Sequence, residues 1–435
     1  MGKNIHLEPV SDQQRWTELF RQCSRVDFMQ TWQYGLAIHQ SIQWEPSRQV
    51  VLLDNAPIAL AQTLVKNVPT IGTIARIQHG PLFFTSEKKV LDEHTKMAID
   101  ALWTYWVEQR GMSLHVTPCV LPDDLPENWY ASTRLAPSRE VLWASVRIDL
   151  RNQPQRLREQ MKRKWRYSLR KAEEMELTLE MGMNESDLRY FLDRYRQTSS
   201  EKGITWPSPD LIHALWRLGD ADMKLIFAQK NGERIGAMVL FPYADSVVGL
   251  VAWNGPLAPQ YHAHNFLIWQ SVLLCQKLGF RWFDLGGIDE VNLPGITQFK
   301  LGFGGETYQY IGNYEAKPGA LHQQTHGAVD FQTYDSFIPG LHLSLENTSG
   351  NDTIMAEVEK IVRDLVRQTT GWDGEFDARF SLINSGLIDS LSMVSVIQEL
   401  IRKFDIDIQP QEITIDNFDT VEAIGHLVTT KIAQN

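Results

Sequence analysis

The chain has 435 residues, 43% hydrophobic and 10% aromatic, with a formal net charge of −11; at roughly 100–200 residues per domain it can hold two to four domains with real cores. Three cysteines, Cys23, Cys119 and Cys275, lie far apart without CxxC spacing, which argues against a disulfide framework or a zinc site and fits a reducing cytoplasm. The first residues lack an apolar h-region and no run of about 18 apolar residues occurs, so neither a secretory signal nor a membrane span is expected.

In chain order, Val50-Val51-Leu52-Leu53 reads as a strand, Asp54-Asn55-Ala56-Pro57 as a turn, and Ile58 to Val65 as the returning strand of a hairpin. A helix of about 87–109, with Val90, Met97, Ala101, Leu102 and Trp106 inward, ends at Gly111 and leads into a strand, Ser113 to Val116. The segment 156–171 is strongly basic: Arg156, Arg158, Lys162, Arg163, Lys164, Arg166, Arg170 and Lys171 are opposed only by Glu159. Its apolar positions Leu157, Met161, Trp165, Leu169 and Ala172 recur at helical spacing, which predicts one helix with a buried face and a cationic face. That cationic face is either a solvated surface or a docking surface for an acidic or phosphate-rich partner: an RNA acceptor stem, a nucleotide-linked substrate, or the acidic end of the chain itself.

The first pattern then returns. Lys224 to Ala228, the turn Asn231-Gly232 and Ile235 to Phe241 form a hairpin; a helix of about 264–278 ends at Gly279, and Arg281 to Leu285 is a strand. A strand, hairpin, helix, strand order used twice predicts two α/β domains of the N-acetyltransferase type. His262 and His264 have no third ligand at suitable spacing and read as a polar helix start. Asp284 stands at the end of a predicted buried strand before two glycines, where it can orient or deprotonate an amine or hold the Gly286-Gly287 turn by hydrogen bonds.

Residues 317–352 read as a linker, opening on Pro318-Gly319 and ending polar. Residues 353–435 hold seven Lys/Arg against fourteen Asp/Glu, so most of the chain's net negative charge sits there. They read as a small helical domain. A turn, Asn384-Ser385-Gly386, leads to Asp389-Ser390, followed by Leu391, Val394, Ile397, Leu400, Ile401 and Phe404 at helical spacing, which puts Ser390 at the start of an amphipathic helix. An isolated Asp-Ser pair is usually an N-cap; a helix start also favours a phosphate.

In this context Gly386-Leu387-Ile388-Asp389-Ser390-Leu391 resembles the phosphopantetheine motif of acyl and peptidyl carrier proteins, nearest to D-alanyl-carrier-type domains. The resemblance implies a 4'-phosphopantetheine arm on Ser390, with Asp389 gripped by the basic groups or magnesium of a phosphopantetheinyl transferase, and an acyl- or aminoacyl-activating ligase that loads the arm. A second resemblance spans roughly residues 25–316. Met29-Gln30-Thr31-Trp32-Gln33-Tyr34-Gly35, Leu169-Arg170-Lys171-Ala172-Glu173, Phe283-Asp284-Leu285-Gly286-Gly287-Ile288, Phe299-Lys300-Leu301-Gly302-Phe303-Gly304-Gly305-Glu306 and Tyr310 to Glu315 together resemble the Fem-type (FemABX) transferases.

That resemblance implies a double-GNAT enzyme that forms an amide by moving an activated acyl or aminoacyl group onto an amine. Lys300 matches the family's transition-state lysine, suited to negative charge growing on a carbonyl oxygen, and Phe299 the aromatic beside it. Gln276 to Arg281 departs from the coenzyme A pyrophosphate loop, which argues against free acyl-CoA as donor. There is no GxSxG elbow, P-loop or HHxxxDG motif. The expected architecture is therefore α/β: tandem GNAT-type domains at 1–145 and 146–316, a linker at 317–352, and an all-α four-helix carrier domain at 353–435. The expected site is Lys300 and Asp284 as catalytic residues, Phe299, Arg163 and Arg166 at the substrate, and Ser390 with Asp389 at the cofactor. The donor is either a thioester on Ser390, passed to a small amine, or aminoacyl-tRNA, with the arm holding the acceptor; a third reading makes the transferase half an idle scaffold.

Overall fold

The computed structural model describes residues 4–68, 72–138, 142–202, 207–219, 223–290, 293–318, 354–364, 378, 380, 382, 390–408, 412 and 415–434. The chain forms two compact units, the first of residues 1–68 and 72–318 and the second containing everything after 318.

The first unit is built on two mixed sheets. In one, β1 (Ile5–Pro9), β2 (Glu45–Leu53), β3 (Ala56–Val68) and β4 (Gly72–Ile77) run as antiparallel neighbours, with β5 (Leu82–Phe83) beside β3. β4 then pairs in parallel with β6 (Ser113–Val116), because the chain crosses over through α3 (Lys88–Trp103). The second sheet repeats this plan. β9 (Thr178–Gly182), β10 (Lys224–Lys230), β11 (Glu233–Tyr243) and β12 (Ser246–Asn254) are antiparallel, and α8 (Ala263–Lys277) carries the chain across to β13 (Trp282–Ile288), parallel to β12. A crossover helix between parallel neighbours is the physical requirement behind the repeated order seen in the sequence.

Three features differ from the sequence reading. In α3 the fully buried face is Leu91, Thr95, Ala98, Ile99 and Leu102, while Val90, Met97 and Ala101 are half-buried. The basic segment is two helices, α4 (Pro154–Gln160) and α5 (Arg163–Glu174), broken at Met161-Lys162, where both residues are extended. The break is stabilised because the Lys162 N–H donates to the Gly302 carbonyl at 2.8 Å and the Arg166 guanidinium donates to the carbonyls of Glu159 and Met161 at 3.0 and 2.5 Å. Leu157, Met161, Trp165, Leu169 and Ala172 nevertheless all remain buried, so the apolar spacing reports the core and not the backbone. Finally, the halves do not divide the sequence at one point. β8 (Ala144–Asp149) opens the second sheet between β13 and β14 (Glu306–Gln309), whereas β15 (Tyr314–Ala316), placed with the second half by the sequence reading, returns to the first sheet between β6 and β7 (Ala136–Pro137).

The second unit is helical where described: α10 (354–364), α11 (Ser390–Phe404), α12 (Ile415–Phe418) and α13 (Val421–Gln434). Val358, Val362, Leu382, Val396, Ile397, Leu400, Phe418, Val421, Ile424 and Val428 form its core. Of the expected linker, 319–352 lie outside the described residues, as does Asp389. Among the described residues no helix is long and apolar enough to cross a membrane.

Candidate active site

The site of interest lies where β12 and β13 part. They pair only from Ser246–Val248 to Trp282–Asp284, although β12 continues to Asn254 and β13 to Ile288. Past Asp284, β13 bulges against β8, the register shifting between Asp284 and Gly287. Gly286 makes the bulge possible: its φ is +78°, a left-handed conformation that costs any other L-residue, and a Cβ there would meet the Gly249 carbonyl oxygen at 3.3 Å. Separated strands present peptide N–H and C=O groups that an extended, amide-bearing donor can use.

Asp284 holds the bulge. Its Oδ1 accepts from the Gly286 N–H at 2.7 Å and lies 2.5 Å from the Ser145 hydroxyl, and its Oδ2 accepts from the Tyr308 hydroxyl at 2.6 Å. The side chain is buried, and burial raises its pKa above the usual carboxylate range despite these donors. Of the two roles read from the sequence for Asp284, holding the glycine turn is the one its contacts display.

Lys300 reaches the same turn from α9 (Pro294–Leu301). This helix starts on a proline, whose missing N–H costs nothing at that position. Thr297 ties it to the end of β13, accepting from the Asp289 N–H at 2.9 Å and donating to the Asp289 carbonyl at 2.7 Å. One turn later, on the same face, the Lys300 Nζ donates to the Gly287 carbonyl at 2.7 Å and stands 3.5 Å from where a Gly286 Cβ would be. Loss of water around the ammonium pushes its pKa down to about 8, against the upward pull of Asp284. At the end of α9, Gly304 (φ +89°) lets the chain pass against the Gln160 backbone at the α4–α5 break.

Phe299 packs between Trp165 of α5 and His264 of α8, with ring centroids at 5.8 and 4.7 Å. His264 is in turn bonded to Asn254 through Nδ1 at 2.9 Å, and His262 is the residue before α8, in a left-handed conformation and without a side-chain capping hydrogen bond. Arg163 and Lys164 are exposed. Arg166 is also exposed, but its guanidinium caps the α4–α5 break, so its position is explained by structure before any substrate. Elsewhere on the basic segment, acids from its own C-terminal end are engaged: Glu173 with Arg158 at 3.0 Å, and Glu174 with Lys171 at 2.7 Å. Ser390 is the first residue of α11, whose apolar face joins the second unit's core.

The corresponding place in the first half is closed. Beyond the β4–β6 pairing, the Thr117 N–H donates to Ile77 and the Gly80 N–H to Thr117, at 3.0 and 2.8 Å. A buried polar cluster that the sequence does not disclose sits there: Asp27 lies 3.0 Å from His79 Nδ1 and accepts from the Tyr310 hydroxyl at 2.7 Å, with the Cys119 thiol 3.7 Å from that hydroxyl. Burial pushes the Cys119 thiol up to about 12, so it is no nucleophile at neutral pH. Of this cluster only Cys119 and Tyr310 stand out in the sequence, Cys119 as a lone cysteine and Tyr310 in the Tyr310 to Glu315 stretch. The early Met29–Gly35 stretch also proves to be architectural: Gln30 bonds the backbone of Gln62 and Gln78, and Thr31 caps α2 (Trp32–Ile42).

Residues 156–309 match the model of an acetyltransferase (GNAT) domain. The structure is similar to that of FemX, with 14% identity, 72% of this chain and 97% of that chain covered, and a TM-score of 0.61. It is also similar to a conserved protein of unknown function from Bacteroides thetaiotaomicron VPI-5482 (10% identity, 72% and 100% covered, TM-score 0.49) and to a tandem GNAT protein from the clavulanic acid biosynthesis pathway (12%, 73% and 100%, 0.40). No curated protein matches the chain in sequence. The two sheets thus form a mixed α/β GNAT-like unit of the Fem-type fold, and the domain match supports an N-acyltransferase.

Proposed function

We propose that the chain is an amide-forming transferase that moves an acyl or aminoacyl thioester, carried on Ser390, onto a small amine. The observation that supports this best is Lys300. A lysine ammonium short of water, fixed on the Gly287 carbonyl where two strands part, is a preorganised charge for the oxyanion that forms when an amine attacks a carbonyl. In water such a charge would have to reorganise; here Thr297, Gly286 and Asp284 have already placed it. Phe299, braced by Trp165 and His264, walls the place beside it.

At Ser390 the fit rests on the helix start and on the carrier-like motif around it. A 4'-phosphopantetheine arm there supplies a thiol that holds acyl or aminoacyl groups as thioesters. Ser390 is its point of attachment, and Asp389 is assigned to recognition by the enzyme that installs it. An activating ligase is then needed to charge the arm. Fusing carrier and transferase in one chain makes their encounter intramolecular, which raises the effective concentration of each for the other.

The test is to install the arm with a phosphopantetheinyl transferase, charge it, and follow loss of the charge in the presence of amines, with and without ribonuclease. Ribonuclease-insensitive transfer supports the carrier-borne donor. Transfer that collapses with ribonuclease assigns the donor role to aminoacyl-tRNA instead, with the exposed Arg163 and Lys164 available to its phosphates. An added mass that survives Ser390→Ala removes the carrier assignment.

A further inference from the structure

Around Asp284 three oxygen–oxygen contacts fall at hydrogen-bond distance: Tyr308 hydroxyl to Oδ2 at 2.6 Å, Ser145 hydroxyl to Oδ1 at 2.5 Å, and the same Ser145 hydroxyl to the Gly286 carbonyl at 2.7 Å. Each contact needs one hydrogen. Tyr308 and Ser145 have one hydroxyl hydrogen each, and a carbonyl oxygen has none. With Asp284 ionised, the single Ser145 hydrogen either goes to one acceptor, leaving the other pair of oxygens unbonded in a buried site, or is split between both in a weaker three-centre bond. A third hydrogen closes the set if it is on Asp284.

We infer that Asp284 rests as the neutral carboxylic acid, donating from Oδ1 to Ser145, which passes its own hydrogen to the Gly286 carbonyl, while Tyr308 donates to Oδ2. This rests on the reading of Lys300 given above and deepens it. The surroundings agree in direction: Asp284 faces Ser145 of β8, Tyr308 of β14, Tyr243 of β11, Lys300 of α9 and the carboxylate of Asp27, and burial dominates, raising the pKa.

The consequence concerns charge. An ionised Asp284 beside Lys300 would neutralise part of the field that the developing oxyanion is meant to feel. A neutral Asp284 leaves the ammonium as the local charge and still clamps the Gly286-Gly287 turn that holds it. Asp284, Ser145 and Tyr308 are then positioning residues, and Asp284 in its resting form is not the base that takes the amine's proton.

Infrared difference spectroscopy of the whole protein reads this without any turnover. Near neutral pH, the wild type should show a protonated-carboxyl C=O band that is lost in Asp284→Asn. In Ser145→Ala the band should move to higher frequency, because the acid has lost its acceptor. Circular dichroism checks that each variant is folded, and Ser145→Ala decides the matter if Asp284→Asn is not. No band lost in Asp284→Asn, or a band unmoved in Ser145→Ala, overturns the inference. A band that behaves as stated in a protein whose Lys300→Ala variant still turns over normally would leave the proton on Asp284 and remove Lys300 from the mechanism.

Discussion

Two glycines with the same backbone demand separate strain from catalysis. Gly279, after α8, has φ +83° and nothing within 4 Å of a would-be Cβ; Gly286 has φ +78° and would put a methyl 3.3 Å from the Gly249 oxygen and 3.5 Å from the Lys300 Nζ. Alanine at either position pays the left-handed penalty, about 1–2 kcal/mol. Only at Gly286 does the methyl fill the space beside the ammonium where a reacting carbonyl has to come. A displacement on the order of 1 Å at a reacting centre can cost roughly 10²-fold in rate. Urea unfolding should therefore give similar losses for Gly279→Ala and Gly286→Ala, the second slightly larger for its tight contact with Gly249. Single-turnover transfer should fall about 10²-fold in Gly286→Ala alone. Equal rates in the two variants would refute the placement of the reaction at this turn.

Further outcomes follow from the same geometry. If the protonated Lys300 carries the transition state, transfer should decline as pH rises toward about 8, because a neutral Asp284 does not pull the Lys300 pKa up, and Lys300→Ala should have lost this limb; stopped-flow rates across pH check it. Because the folded-state pKa lies below the unfolded value near 10.5, the unfolded chain binds more protons between about 8 and 10.5, so this residue makes stability rise with pH in that window, measurable by urea titration of wild type against Lys300→Met. Arg166→Gln should destabilise by about 1 kcal/mol through its two lost carbonyl contacts, whereas Arg163→Gln and Lys164→Gln should stay within about 0.5 kcal/mol and weaken only a salt-sensitive encounter with an anionic partner.

Much of the first unit can be read from periodicity, since both hairpins and both crossover helices leave period-2 or period-3.6 signals that turns bound. The break at Met161-Lys162 cannot, because the apolar spacing runs through it unchanged and its cause is a carbonyl at Gly302, far along the chain. β4 and β12 are among the strands that periodicity does not pick out. They are recognisable in the structure by the parallel partner that each acquires only after a crossover. The site was half legible. Lys300, Phe299 and Asp284 stand in one recognisable stretch, but Ser145 and Tyr308, which complete Asp284, come from other strands, Ser145 from 139 positions away. Asp27 and Tyr310 are 283 positions apart, and no spacing rule joins them.

The most direct test of the central claim is intact-protein mass spectrometry of the phosphopantetheinylated, charged chain before and after an amine is added, for wild type, Lys300→Ala and Ser390→Ala. Removing a charge that acts only on the transition state lowers the rate with little effect on ground-state binding, and comparable oxyanion stabilisers are worth roughly 10²–10³ in kcat. The account expects Ser390→Ala to take up no arm and Lys300→Ala to be charged normally yet keep its acyl mass about 10²–10³ times longer than wild type. Wild-type discharge in Lys300→Ala, or a wild type that discharges to no amine in the presence or absence of aminoacyl-tRNA, would contradict it.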